Sequence, residues 1–197
     1  MTRNDQNPQF TDGASLQPAI AAIELTCVPR GLLVADAILW EADIEMLFAE
    51  PVQPGKFVML FTGSVQSLEA ALRRGAEIAE TSLVDSLLIP QVHEQIPLGL
   101  KRTGKINGSL DALGVIQTST VCAAIQAADA ALKAAAVDLL ELRIANGLGG
   151  KSFFTMTGEV SDIRSAVMVG AKDAQAKGQL MRDVVIARPH PDLVQFL

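Results

Sequence analysis

The sequence predicts an α+β fold made of two tandem copies of one small domain, and three observations predict it. The chain repeats itself at a nearly constant offset. Each copy carries the same order of strand and helix patterns. The 197 residues are also rich in aliphatic side chains: 49 % are hydrophobic, only 4 % aromatic and 19 % charged. That composition excludes disorder for the bulk of the chain, which would need few aliphatics and much charge. The length allows one ordinary domain or two small ones, and the repeat decides for two.

The repeat starts at an offset of 93, where Ala22-Ile23-Glu24 meets Val115-Ile116-Gln117 and Ala35-Asp36-Ala37 meets Ala128-Asp129-Ala130. The offset then widens to 95, where Gly55-Lys56 meets Gly150-Lys151, Thr62-Gly63 meets Thr157-Gly158 and Gly75-Ala76 meets Gly170-Ala171. It ends at 97, with Ile89 and His93 on Ile186 and His190. In the first copy, the aliphatic run 19–26 between two prolines reads as a strand. Residues 30–41 place Leu33, Ala37 and Trp40 at helical spacing. Residues 44–52 and 56–61 read as two strands parted by Gln53-Pro54-Gly55. Ser64 caps a long helix whose apolar face is expected on Val65, Leu68, Leu72, Ala76 and Ala79. A fourth strand follows at 83–89. The second copy repeats this order, with Thr118 and Ser119 ahead of a helix over 121–135 and Glu159 opening another over 160–177. Strand, helix, strand, strand, helix, strand describes a four-stranded sheet with helices on one side. The expected boundaries are a disordered arm over 1–17, a first domain over 18–96, a linker over 97–110 rich in glycine and basic residues, and a second domain over 111–197.

Several function classes are disfavoured at once. A net charge of −6 with few aromatics is wrong for nucleic acid, which needs clustered cations and stacking rings. Cys27 and Cys122 are too few for a disulfide framework and lack metal-ligand spacing, so they read as thiols in a reducing compartment. The polar N-terminal residues lack the apolar run of a signal peptide, and no stretch is long enough to span a bilayer. Gly150-Lys151-Ser152 imitates the end of a phosphate-binding loop, but the residues that follow read as strand. Such a loop works only where it opens a helix. His93 and His190 occupy equivalent positions without ligand-spaced partners and read as structural, as do Asp36 and Asp129. No nucleophile–base set emerges from the spacing.

The dispersed motifs Ala22-Ile23-Glu24-Leu25-Thr26, Pro54-Gly55-Lys56-Phe57, Leu83-Val84-Asp85-Ser86-Leu87, Gly149-Gly150-Lys151, Gly158-Glu159-Val160-Ser161-Asp162 and Ile186-Ala187-Arg188-Pro189-His190 resemble the bacterial microcompartment shell domain. The tandem arrangement is similar to the trimeric shell proteins of that family, of the propanediol-utilisation type. The resemblance implies four-stranded antiparallel sheets in the non-permuted strand order. It also implies a homotrimer that imitates a hexamer, a tile meeting other shell proteins edge to edge around encapsulated enzymes in the cytoplasm, and no catalytic activity. It places a central pore for small polar metabolites at Val52, Gln53, Pro54, Gly55, Gly147, Leu148 and Gly149. In some relatives a cysteine just before the Pro-Gly-Lys holds an iron–sulfur cluster. Gln53 stands there in this chain and supplies no thiolate, so no cofactor is expected. Tile-edge contacts fall on Lys133 and Arg188, and on Trp40 and Gln91 at the corresponding positions of the first copy. Two other readings stay open on the residues alone: a regulatory trimer of similar build that binds a small ligand, and an enzyme with interface sites.

Overall fold

In a computed structural model, residues 18–101, 110–144 and 147–196 are described. The expected arm over 1–17 and residues 102–109 of the expected linker lie outside them. The chain divides into two compact units. The first holds the described residues up to Val92 together with the loop up to Gly150; the second holds His93–Ile144 and the chain from Lys151 onward.

In the first unit, β1 (Ile20–Leu25), α1 (Val28–Glu41), β2 (Ile44–Val52), β3 (Lys56–Gly63), α2 (Val65–Ala79) and β4 (Leu83–Ile89) follow one another. The second unit opens with a short helix, α3 (Gln95–Leu100). It then repeats the pattern as β5 (Ala112–Thr118), α4 (Val121–Ala134), β6 (Asp138–Ile144), β7 (Ser152–Gly158), α5 (Val160–Ala176) and β8 (Leu180–Ala187). Both sheets are four-stranded, ordered β2-β3-β1-β4 and β6-β7-β5-β8. Every neighbouring pair is antiparallel. The α+β architecture predicted from the pattern is the one observed.

The repeated residues have physical reasons. The Thr62 hydroxyl donates to the Ala19 carbonyl at 2.8 Å, and Thr157 does the same to Ala112 at 3.1 Å. Each ties the end of β3 or β7 to the head of the strand beside it. Gly75 and Gly170 let the long helices approach their neighbours. A Cβ on Gly75 would lie 2.6 Å from Ile23 Cδ1, and one on Gly170 2.8 Å from the Ala127 carbonyl oxygen. Ser64 caps α2 by accepting the Ser67 N–H at 3.1 Å. On α4 the cap is Thr120, accepting from Ala123 at 3.1 Å, rather than Thr118 or Ser119. Thr118 turns its hydroxyl to the Thr120 carbonyl instead, at 2.8 Å.

Two helix faces differ from the expected ones. On α1 the buried residues are Gly31, Val34 and Ile38, while Leu33 and Trp40 are exposed. This helix is apolar on both sides, so spacing alone does not select the core side. On α2 the buried stripe is Leu68, Ala71, Gly75 and Ala79, whereas Val65 and Ala76 are exposed. Gly75, the residue that admits the sheet, sets that rotation. Residues 97–100, read as the start of a linker, form the end of α3, and Ile96, Gly99 and Leu100 are buried.

Candidate functional site

Two loops carry the expected pore residues. The strand β2 ends at Val52, whose side chain is only 3 % exposed and points into the core rather than onto the loop surface. Gln53, Pro54 and Gly55 form the exposed turn into β3, closed by the Gly55 N–H on the Val52 carbonyl at 2.9 Å. Gly55 has φ 115°, a backbone state that favours glycine. In the loop before β7, Gly147 and Gly149 are exposed and Leu148 is half-buried. Gly150 is buried against the first loop. A Cβ there would meet Pro54 Cδ at 3.0 Å and the Gln53 carbonyl oxygen at 3.3 Å. The first unit thus brings together both loops that the sequence singled out.

Lys56 anchors this junction. Its Nζ lies 2.7 Å from Glu24 Oε1 and 3.4 Å from the Gly150 carbonyl oxygen. Glu24 is fully buried and Lys56 largely so. A buried carboxylate needs such a partner, because taking a lone charge out of water costs several kcal/mol. Sequence reasoning missed this pair, although a glutamate inside the aliphatic run Ile20–Leu25 is the signal that it must be neutralised. The second copy has Gln117 in place of Glu24, and its Lys151 is exposed.

The expected edge residues sit in different settings. Trp40 is 86 % exposed on α1. Lys133 forms an ion pair with Asp129 at 2.6 Å, four residues earlier on α4. The other Asp129 oxygen accepts the His93 backbone N–H at 2.8 Å. Gln91 and Arg188 are exposed beyond the ends of β4 and β8. Arg188 has φ 50° and donates its backbone N–H to the Asp111 carbonyl at 2.7 Å. His93 and His190 use their rings locally: each Nδ1 accepts the N–H two residues on, at 3.3 and 3.2 Å. A second contact that the sequence did not announce is Gln95. Its Oε1 accepts the Leu139 N–H at 2.7 Å, and its Nε2 reaches Asp138 Oδ1 at 3.3 Å.

Residues after Lys151 form β7, not a helix, so the imitation of a phosphate-binding loop has no helix N-terminus behind it. Among the described residues no cluster of three or more His, Cys, Asp or Glu has metal-site geometry. Both cysteines are free, with Cys27 at the N-cap of α1 and Cys122 buried in α4. No described helix is long and apolar enough to cross a membrane.

The profile of the BMC domain matches the chain twice, over residues 19–92 and 112–189. The chain belongs to the BMC-domain family. The two matches coincide with the two sheets and their helices. The chain is 35 % identical to the bacterial microcompartment shell protein PduT of Citrobacter freundii, over 90 % of this chain and 96 % of that one. One half is 39 % identical to the shell protein EutM of Salmonella typhimurium, which spans 43 % of this chain and 85 % of that protein. A crystal structure of a microcompartment protein from Desulfitobacterium hafniense superposes with a TM-score of 0.78 at 37 % identity, covering 90 % of this chain and 98 % of that one. This tandem BMC-domain chain is a structural shell protein of a bacterial microcompartment, not an enzyme.

Proposed function

We propose that the chain assembles as a homotrimer, a pseudohexameric tile with a central pore on its threefold axis. The observation that carries this is the packing of Gly150 onto Gln53 and Pro54. It sets two glycine-bearing turns side by side, with the polar side chain of Gln53 exposed. Three copies of Gln53, together with exposed loop backbone at Pro54, Gly55, Gly147 and Gly149, would make a neutral rim rich in hydrogen-bonding groups. Leu148 stands beside it. Such a rim suits water and small polar metabolites. Gln53 offers no thiolate, so the rim is expected to hold no iron–sulfur cluster. Neighbouring tiles and other shell proteins would meet at edges carrying Trp40 and Gln91 on one side and Lys133 and Arg188 on the next, and encapsulated enzymes would lie on one side of the resulting layer.

Electron microscopy of concentrated protein tests the tile directly. Flat sheets or tubes are expected from the native chain. Trp40→Ser and Arg188→Glu should leave the particle mass unchanged and reduce sheet formation. Lys133→Ala is the cleaner change on α4, because an acidic side chain there would face Asp129 and disturb the fold itself. Sheets that form equally well from all variants would contradict the edge assignment. Iron and sulfide in anaerobically purified protein would contradict the cofactor-free pore.

A further inference from the structure

Within the second unit, the segment that opens it clasps α4 and the start of β6. His93 donates its N–H to Asp129, Gln95 bonds the Leu139 N–H and the Asp138 carboxylate at the start of β6, and Gly99 lies against Leu139. The segment after the second repeat is built the same way. The Leu193 N–H donates to the His190 carbonyl at 2.9 Å, as Ile96 does to His93 at 3.0 Å. The Asp192 N–H donates to the His190 ring as Gln95 does to the His93 ring. A short helical turn, Pro191–Phe196, then follows as α3 follows His93.

The receiving surface is duplicated too. Asp36 corresponds to Asp129 at the offset of 93. Glu45 and Met46 stand opposite Thr62 and Phe61 as Asp138 and Leu139 stand opposite Thr157 and Met156. In the second unit this surface is closed: Ile125 is 0 % and Leu132 5 % exposed. In the first unit the same positions, Leu32 and Leu39, are 58 % and 50 % exposed. Asp36 is exposed, and its carboxylate has no partner among the described residues.

We propose that a second copy of this chain covers the open α1 face: its residues 190–196 seat on α1 and the start of β2, and the His190 N–H donates to Asp36 of the partner subunit. Each protomer then offers one clasping segment and one receiving face. Such a contact is head-to-tail and repeats around an axis rather than pairing two chains. The inference rests on the trimer reading and supplies its joint. It also explains why α1 is apolar on both sides while α4, whose face is filled within the chain, has its apolar residues buried.

The test is a cysteine pair, Asp36→Cys with His190→Cys, in a full-length Cys27→Ser background, treated with a short bis-maleimide and run on a denaturing gel. A ladder reaching three linked chains is expected from the double variant and from neither single variant. As a second measurement, sedimentation of Asp36→Ala should show at least a tenfold rise in the concentration at which the assembly dissociates, with the circular dichroism of the native fold. A three-chain particle whose double variant does not link and whose Asp36→Ala form dissociates as the native chain does would overturn the joint and leave the trimer standing. A native chain that sediments at single-chain mass would overturn both.

Discussion

The two units carry the same strand order, the same threonine bonds and the same close-approach glycines, yet they differ in how each is finished. In the second unit the helix face on α4 is closed by residues of the same chain, and Asp129 bonds both Lys133 and His93. In the first unit the matching face on α1 lies open, with Trp40 at its end. The loop-bearing strands differ in the opposite sense. The first unit holds its turn with the buried Glu24–Lys56 pair, and the second has Gln117 and a solvated Lys151 instead. Duplication thus fixed what the fold needs twice and let the copies diverge where each meets something different.

The largest expected effect breaks that comparison at the loops. Lys56→Met takes the cation away from the buried Glu24 carboxylate and should lower stability by about 3–5 kcal/mol. Lys151→Met, its counterpart at the surface, should stay within about 0.5 kcal/mol of the native chain. Urea denaturation of the two variants checks both, and equal losses would mean that the ion pair is not what separates the loops.

Next in size is a test of sameness. Thr62→Val and Thr157→Val each remove the hydroxyl bond to the carbonyl at the head of the first strand of their unit. Each should cost about 0.5–1.5 kcal/mol, the net worth of a hydrogen bond of this kind. A loss at one site and none at the other would show that the copies are less alike in energy than in topology.

The smallest effect lies at the helix starts. Thr120 caps α4 with its hydroxyl, whereas Cys27 makes no side-chain cap on α1. Thr120→Ala should therefore cost about 1 kcal/mol, and Cys27→Ser should gain a few tenths up to about 1 kcal/mol. Thermal unfolding followed by circular dichroism resolves shifts of that size.

Much of this organisation was legible before any coordinates. Residues that recur at a fixed offset mark positions where the backbone or a buried bond leaves no choice, and Thr62, Gly63 and Gly75 with their counterparts are such positions. Strand limits at 44–52 and 83–89 followed from aliphatic runs bounded by turn residues. The pore loops were singled out by resemblance, and the structure sets Gln53, Pro54 and Gly150 together while turning Val52 inward. Less legible was the side of α1 that faces the core, because Leu33 and Trp40 obey helical spacing as well as Val34 and Ile38 do. Periodicity marks a face as apolar but does not say which of two apolar faces meets the sheet. The clasp of Gln95 on β6 was hidden for a related reason: its shortest bond is to the Leu139 backbone N–H, which leaves no mark on residue identity. Glycine and basic content in 97–110 suggested a linker, and the apolar residues Ile96 and Leu100 outweighed it at the start of that segment.

Sedimentation equilibrium of the native chain at micromolar concentration addresses the central claim, a tile completed by further copies of itself. A single species at three times the 20.8 kDa chain mass is the predicted result. A species at the mass of one chain, stable on concentration, would contradict it.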